Sequence, residues 1–210
     1  MNFTYKQAWD LVGGLSSPSK MPCYGWSISA RRCKVGNKLR AIENSVCNKC
    51  YAFRGNYNFP CVVNAMEKRW QALSSPRFVE AMSFLINCLD SRHFRWFDSG
   101  DLDSVNTLEK FAQIAINCPE VKFWLPTKEY GIVSKWIKLG NVVPTNLNIR
   151  LSGYMIDENG PIALALNLGV TLSEVRTKEF NCPSSNQGNS CLDCRKCWDK
   201  NEFTVAYKKH

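Results

Sequence analysis

Histidine is nearly missing from this chain of 210 residues: His93 and His210 are the only two. That disfavours mixed His/Cys zinc fingers and histidine-rich metal centres. It also disfavours triad hydrolases, which need a positioned imidazole. No stretch approaches the roughly 18–20 consecutive apolar residues of a membrane helix. The opening residues MNFTYKQAWDLVGG lack the basic and then apolar pattern of a secretory leader. The expectation is a soluble, cytoplasmic protein with no membrane partner. There is no convincing internal repeat and no low-complexity tract. Acid is scarce, with 18 Asp and Glu against 27 Lys and Arg, a formal charge of +9. An ordinary hydrophobic share of 45% excludes wholesale disorder, and the length suits a single domain, 1–210.

Cysteine is plentiful: 11 residues, an odd number in a chain that is not small. In a reducing compartment this argues against a disulfide framework and for metal or cluster ligation. Bound thiolates would lower the net charge, since four around a divalent zinc leave about two negative charges. The +9 is therefore an upper bound, and it makes anionic partners, nucleic acid included, a reading to weigh. Five cysteines fall in 23–61, Cys88 and Cys118 are scattered, and four fall in 182–197. An N-terminal cysteine-rich segment (17–61) and a C-terminal one (177–210) thus flank a more regular core, 62–176.

Ahead of the first segment, YKQAWDLV (5–12) reads as a helix stopped by Gly13-Gly14. From Cys23 to Cys61 no period is sustained, and metal ligation would supply the missing constraint. The core shows helices over 62–73, from Ser75-Pro76 through Leu89, from a cap at Asp103 or Ser104, and over 129–139. Strands are expected at HFRWF (93–97), VKFWL (121–125) and NLNIRL (146–151), with one or two short strands in 162–176. Alternating strands and helices imply parallel βαβ units. The predicted fold is α/β: a partial βα barrel or a small open parallel sheet, with cysteine-rich metal-binding segments at both ends.

Cys182, Cys191, Cys194 and Cys197 are spaced C-x8-C-x2-C-x2-C. Two consecutive x2 gaps put three sulfurs on one tight loop, which suits three corners of a [4Fe-4S] cube with a remote fourth ligand. Structural zinc, the alternative, more often takes two separated C-x2-C pairs. At the other end Cys47 and Cys50 form a C-x2-C pair, with Cys33 thirteen intervening residues upstream. Three cysteines would leave a metal position open, as in catalytic sites, whereas four would be structural. Cys23 and Cys61 are candidate fourth ligands, but both read better as small apolar residues. Cys88 and Cys118 read as core, and His93 as a structural residue opening a strand.

In parallel α/β folds ligands collect at the carboxyl ends of strands. Here those ends carry Asp98-Ser99-Gly100-Asp101, Thr127-Lys128 and Ser152. Asp98 and Asp101 can accept from an ammonium or ribose hydroxyls. Lys128 can pair with a carboxylate or phosphate, and Thr127 can bond either. Each of these types also makes ordinary turns and caps. Arg31, Arg32, Lys34, Lys38 and Arg40 lie among Tyr24, Trp26, Tyr51, Phe53, Tyr57 and Phe59. Such a mixture can hold a nucleic-acid backbone and stacked bases, or it can be a solvated basic surface over a small aromatic core.

The stretches SKMPCYGWSISARRCKVGNKLR, SVCNKCYAFRGNYNFP, FRWFDSGDL and FWLPTKEY, with the closing CP…C-x2-C-x2-CW, are similar to the phage gene-product-88-like family over about residues 17–208. The resemblance implies a phage or prophage protein working in a bacterial cytoplasm. It aligns Cys33, Cys47, Cys50 and the four C-terminal cysteines with the family's pattern, but neither Cys23 nor Cys61. The C-x2-C-Tyr-Ala element and the later Thr-Lys also resemble phage proteins of the radical-SAM type, implying S-adenosylmethionine as a ligand. The C-x3-C-x2-C signature of those enzymes is missing. Two expectations result. One is an iron–sulfur protein with one or two [4Fe-4S] clusters, acting on a small molecule or nucleotide at the rim. The other is a non-enzymatic nucleic-acid-binding protein whose metals staple loops.

Overall fold

A computed structural model describes residues 3–209. Helix α1 (Tyr5–Val12) begins at a capping box in which Thr4 and Gln7 bond each other's backbone, and it stops at left-handed Gly13. Strand β1 (Tyr24–Trp26) follows, then a 3₁₀ turn and α2 (Val35–Leu39). Next come α3 (Pro60–Ala72), α4 (Phe78–Asn87) and β2 (His93–Trp96). Then follow α5 (Val105–Asn117), β3 (Lys122–Thr127), α6 (Tyr130–Lys138) and β4 (Leu147–Ile156). The chain ends with α7 (Ile162–Leu168), β5 (Thr171–Arg176) and β6 (Thr204–Lys208). No described helix is long and apolar enough to cross a membrane.

The six strands form one open sheet in the order β1-β2-β3-β4-β5-β6, every neighbouring pair parallel. Parallel crossovers are right-handed almost without exception, so a sheet in strict sequence order carries its helices on one face. The core follows. Trp26, Phe94, Trp96, Phe123, Leu125, Leu147, Ile149, Leu151 and Leu172 point to that face, and bury against Val12, Phe78, Leu85, Phe111, Val133 and Ala165 from the helices. Trp96 stacks on Phe111 with ring centroids 3.7 Å apart. The alternate residues point the other way. There Trp124 and Val205 join Cys23, Cys197 and Trp198 in a second, smaller cluster flanked by Met21, Cys182 and Tyr207. This helix-free face is covered by the C-terminal cysteine segment.

Six strands replace the three that periodicity displays. Strand β1 is only three residues long and sits among turn residues, and β6 is the five-residue TVAYK that follows the C-terminal cysteine turn. In 162–176 the expectation of only strands is corrected: α7 precedes β5, because Ala165 and Leu168 supply a buried helical face and left-handed Gly169 stops it. Helix α4 starts at Phe78, after Ser75-Pro76, and Ser104 is the cap of α5. Cys118 is buried as expected, whereas Cys88 is exposed rather than core, because it caps the carboxyl end of α4 beyond the helix's buried face.

Gly100, after β2, has φ +81°, and a Cβ there would stand 2.7 Å from the Ile28 carbonyl oxygen. Gly131 in α6 has open space and no such φ. Gly100→Ala should cost about 2–4 kcal/mol through left-handed strain and overpacking. Gly131→Ala should stabilise by about 0.5–1 kcal/mol through helix propensity. Urea denaturation of the two variants checks the contrast; equal effects would contradict it.

Candidate functional site

Cys33, Cys47 and Cys50 all lie in the connection between β1 and β2, beyond the carboxyl end of β1. Cys33 ends a 3₁₀ turn at Ala30–Arg32 and leads into α2. Gly36 lies in the first turn of α2, where a Cβ would be 3.6 Å from both the Cys33 and Cys47 sulfurs. The two thiols therefore share the space that a side chain at 36 would fill. Cys47 and Cys50 close a tight turn, with the Cys50 amide donating to the Cys47 carbonyl at 3.2 Å. Burial raises the Cys33 and Cys47 thiols above their ordinary range. At Cys33 the Asp101 carboxylate and the other two cysteines add to the rise and Lys128 opposes it. The three sulfurs, Asp101 and Lys128 thus form one electrostatic neighbourhood.

Glu129 holds this loop in place, and nothing in the periodicity of the sequence marks it. Its carboxylate is buried and accepts the Lys34 and Val35 amides at 3.2 and 2.8 Å, capping α2 from outside. The Glu129 amide in turn donates to Thr127 Oγ1 at 3.0 Å. Thr127 donates to Asp101 Oδ1 at 2.6 Å, and the Lys128 and Leu102 amides reach the same carboxylate at 2.8 Å each. Asp101 and Thr127 are thereby engaged with each other. Burial lifts the Asp101 pKa to about 6 against those hydrogen bonds. The Lys128 carbonyl accepts from Tyr154. Asp98 keeps one oxygen free: Tyr57 donates to Oδ2 at 3.1 Å, Tyr51 donates to its carbonyl, and Oδ1 is buried without a partner. Ser152 accepts from Ser173 at 3.1 Å.

The C-terminal cysteines sit on the helix-free face. Arg150, fully buried in β4, aims its guanidinium at this segment. It donates to the carbonyls of Cys197 (3.0 Å), Lys196 (2.7 Å), Asp199 (2.9 Å) and Leu172 (2.8 Å). Burial pulls its pKa down, while Tyr207 and Cys197 resist. Asn148 adds bonds to the Cys197 and Asp199 carbonyls, and the Trp198 indole donates to the Phe94 carbonyl at 2.9 Å. The sheet thus templates the turn carrying Cys194 and Cys197. The Cys197 sulfur lies 3.2 Å from the Tyr207 hydroxyl, and burial raises its thiol to about 12. Cys23 joins this group, which its position near the N-terminus conceals. Cys61 is exposed on α3.

Among the described residues, no three His, Cys, Asp or Glu side chains converge into a ready-made metal cage. The cysteines of the two end segments lie as two loose groups of thiols, without the converged ligand set expected of metal-binding segments.

Several of the basic residues of 24–59 are engaged within the protein. Arg32 pairs with Glu67 at 2.8 Å and lies over the Trp70 ring. Arg31 and Arg40 lie over Phe53, and Lys34 donates to the Asp103 carbonyl. Lys38 is exposed. His93 meets Trp198 edge-on at 5.3 Å, and burial, with Arg195 and Lys122 nearby, lowers its pKa. His210 lies outside the described residues.

A protein-family model described as Gene product 88 matches residues 3–200. No curated protein and no solved structure matches the chain.

Arg150→Met should destabilise the fold by at least about 3 kcal/mol, because several buried carbonyls lose their donor at once. Urea denaturation measures this. A loss below about 1 kcal/mol would show that Arg150 does not hold the segment.

Proposed function

This chain is a member of the Gene product 88 family, and for it we propose an iron–sulfur protein on a six-stranded open parallel sheet whose reactive end is the three-cysteine group at the carboxyl rim. The observation that carries the reading is that Cys33 and Cys47 share the space at Gly36, with Cys50 and Lys128 acting electrostatically on both thiols, beyond the end of β1. The donor chemistry fits. Three partly buried thiols cannot ionise together without added positive charge, and a bound metal supplies it. A three-thiolate set leaves one metal position without a protein ligand, the feature that separates reactive from structural centres.

An iron–sulfur cluster held there would supply one-electron chemistry and an open iron. The surrounding residues define what could approach it. Asp98 Oδ1 is a buried acceptor in want of a donor, suited to an ammonium or a sugar hydroxyl. Lys128 offers a cation for a carboxylate or phosphate. The ligand class is therefore a small molecule or nucleotide carrying both kinds of group, and S-adenosylmethionine belongs to it. Asp101 and Thr127 serve this rim by fixing the Lys128 backbone. Glu129 fixes the Cys33 loop. In this reading the C-terminal cysteines hold a second, structural or electron-relaying centre. The nucleic-acid alternative draws little support, since Arg31, Arg32, Lys34 and Arg40 already have partners within the chain.

Anaerobic purification with iron and acid-labile sulfide analysis tests the proposal. The expected result is a brown protein containing both. Replacing Cys33, Cys47 and Cys50 together by Ala should remove the rim centre's share and leave the rest. Zinc without inorganic sulfide, or a folded protein free of metal, would overturn it.

A further inference from the structure

Five cysteines, not four, gather at the helix-free face. Cys23 directly precedes β1 and packs with Cys197, Trp124, Trp198 and Val205, flanked by Met21 and Cys182. The Lys20 carbonyl accepts the Cys191 amide at 3.1 Å, and the Cys191 sulfur approaches Met21 Sδ at 3.9 Å. Residues 20–23, from before the first strand, are thus pinned against the C-x2-C-x2-C turn from the other end of the chain.

Two donors buried beside this group have no partner: Arg95 Nε and Trp124 Nε1. Arg95 lies over the Trp124 ring, with Cζ 4.4 Å from its centroid, and its Nη1 is 3.6 Å from Met21 Sδ. Unpartnered buried N–H groups are rare in native proteins and call for an acceptor. Thiolate or inorganic sulfide is an acceptor of the right kind at this place. Charge points the same way. Four thiolates around a metal centre leave net negative charge, and the guanidinium groups of Arg95 and Arg195 both act on Cys23.

Resting on the reading that the cysteine groups hold metal, we propose that Cys23, rather than Cys182, completes with Cys191, Cys194 and Cys197 the ligand set of the second centre, and that Arg95 and Trp124 donate N–H bonds to its sulfur. Cys23 is the more deeply placed of the two, at 8% exposure, and its thiol makes no hydrogen bond among the described residues. Cys182 is half-buried where a 3₁₀ turn begins, its sulfur 3.2 Å from the Ser184 hydroxyl. A cluster so held clasps the start of the sheet to the end of the chain.

The test compares iron and sulfide per chain in anaerobically purified wild type, Cys23→Ala and Cys182→Ala. Cys23→Ala should lose one centre's metal, about half the total, and Cys182→Ala should keep the wild-type content. Retention by Cys23→Ala overturns the assignment, whether or not Cys182→Ala loses metal. Should Cys23→Ala fail to fold, alkylation of the wild-type holoprotein decides. Iodoacetamide should label Cys182 before any chelator is added, as read by peptide mass spectrometry; shielding of Cys182 until chelation overturns the assignment. A folded wild type without metal would overturn the underlying reading as well, whereas metal kept by Cys23→Ala overturns this step alone.

Discussion

Arg150 is a fully buried cation whose neighbours are carbonyl oxygens rather than carboxylates. A guanidinium presents five N–H donors in a rigid fork, and here the fork reads the backbone of Lys196, Cys197 and Asp199 directly. That contact decides what covers the second face of the sheet. A parallel sheet with helices on one side leaves its other side bare, and bare parallel sheets are rarely tolerated. In this chain an irregular segment replaces the missing helices. Such a segment brings its own unpaired carbonyls into the interior, where each costs free energy unless it finds a donor. Arg150 and Asn148 are the donors, and the Trp198 indole returns one bond to the sheet.

The same logic orders the rim. A connection of more than sixty residues separates β1 from β2, and only short helical turns lie in its first half. It is held by side chains from elsewhere: Glu129 caps α2, and Tyr51 and Tyr57 tie the Cys50 end to Asp98. Arg95 lies beside the C-terminal sulfur group, over the Trp124 ring. Burial opposes its charge, while Tyr51, Asp98, Tyr207 and Cys197 raise its pKa.

Much of the helix-covered layer was legible. Helices α1, α5 and α6 and strands β2, β3 and β4 have regular apolar spacing because one face of each is buried. The polar alternates in NLNIRL, Asn148 and Arg150, also carried information. Alternation in a parallel strand signals that its second face meets something other than a helix layer. Strand β1 escaped because three residues are too few to show a period. Helix α7 was hidden in an apolar run too short to separate helix from strand. At the site, spacing picked out Cys33, Cys47 and Cys50, of which Cys33 and Cys47 meet at Gly36. Cys23 could not be found that way, since its neighbours lie some 170 positions along the chain. Glu129 was equally invisible, because its partners are backbone amides that no residue pattern reveals.

The central claim is that sulfur from both ends of the polypeptide grips inorganic centres. Native mass spectrometry of the anaerobically purified chain tests it most directly. The account predicts a folded species whose mass exceeds the polypeptide by that of two iron–sulfur clusters, with the excess removed by acid. A folded species at the bare polypeptide mass, or one heavier only by zinc, would contradict it.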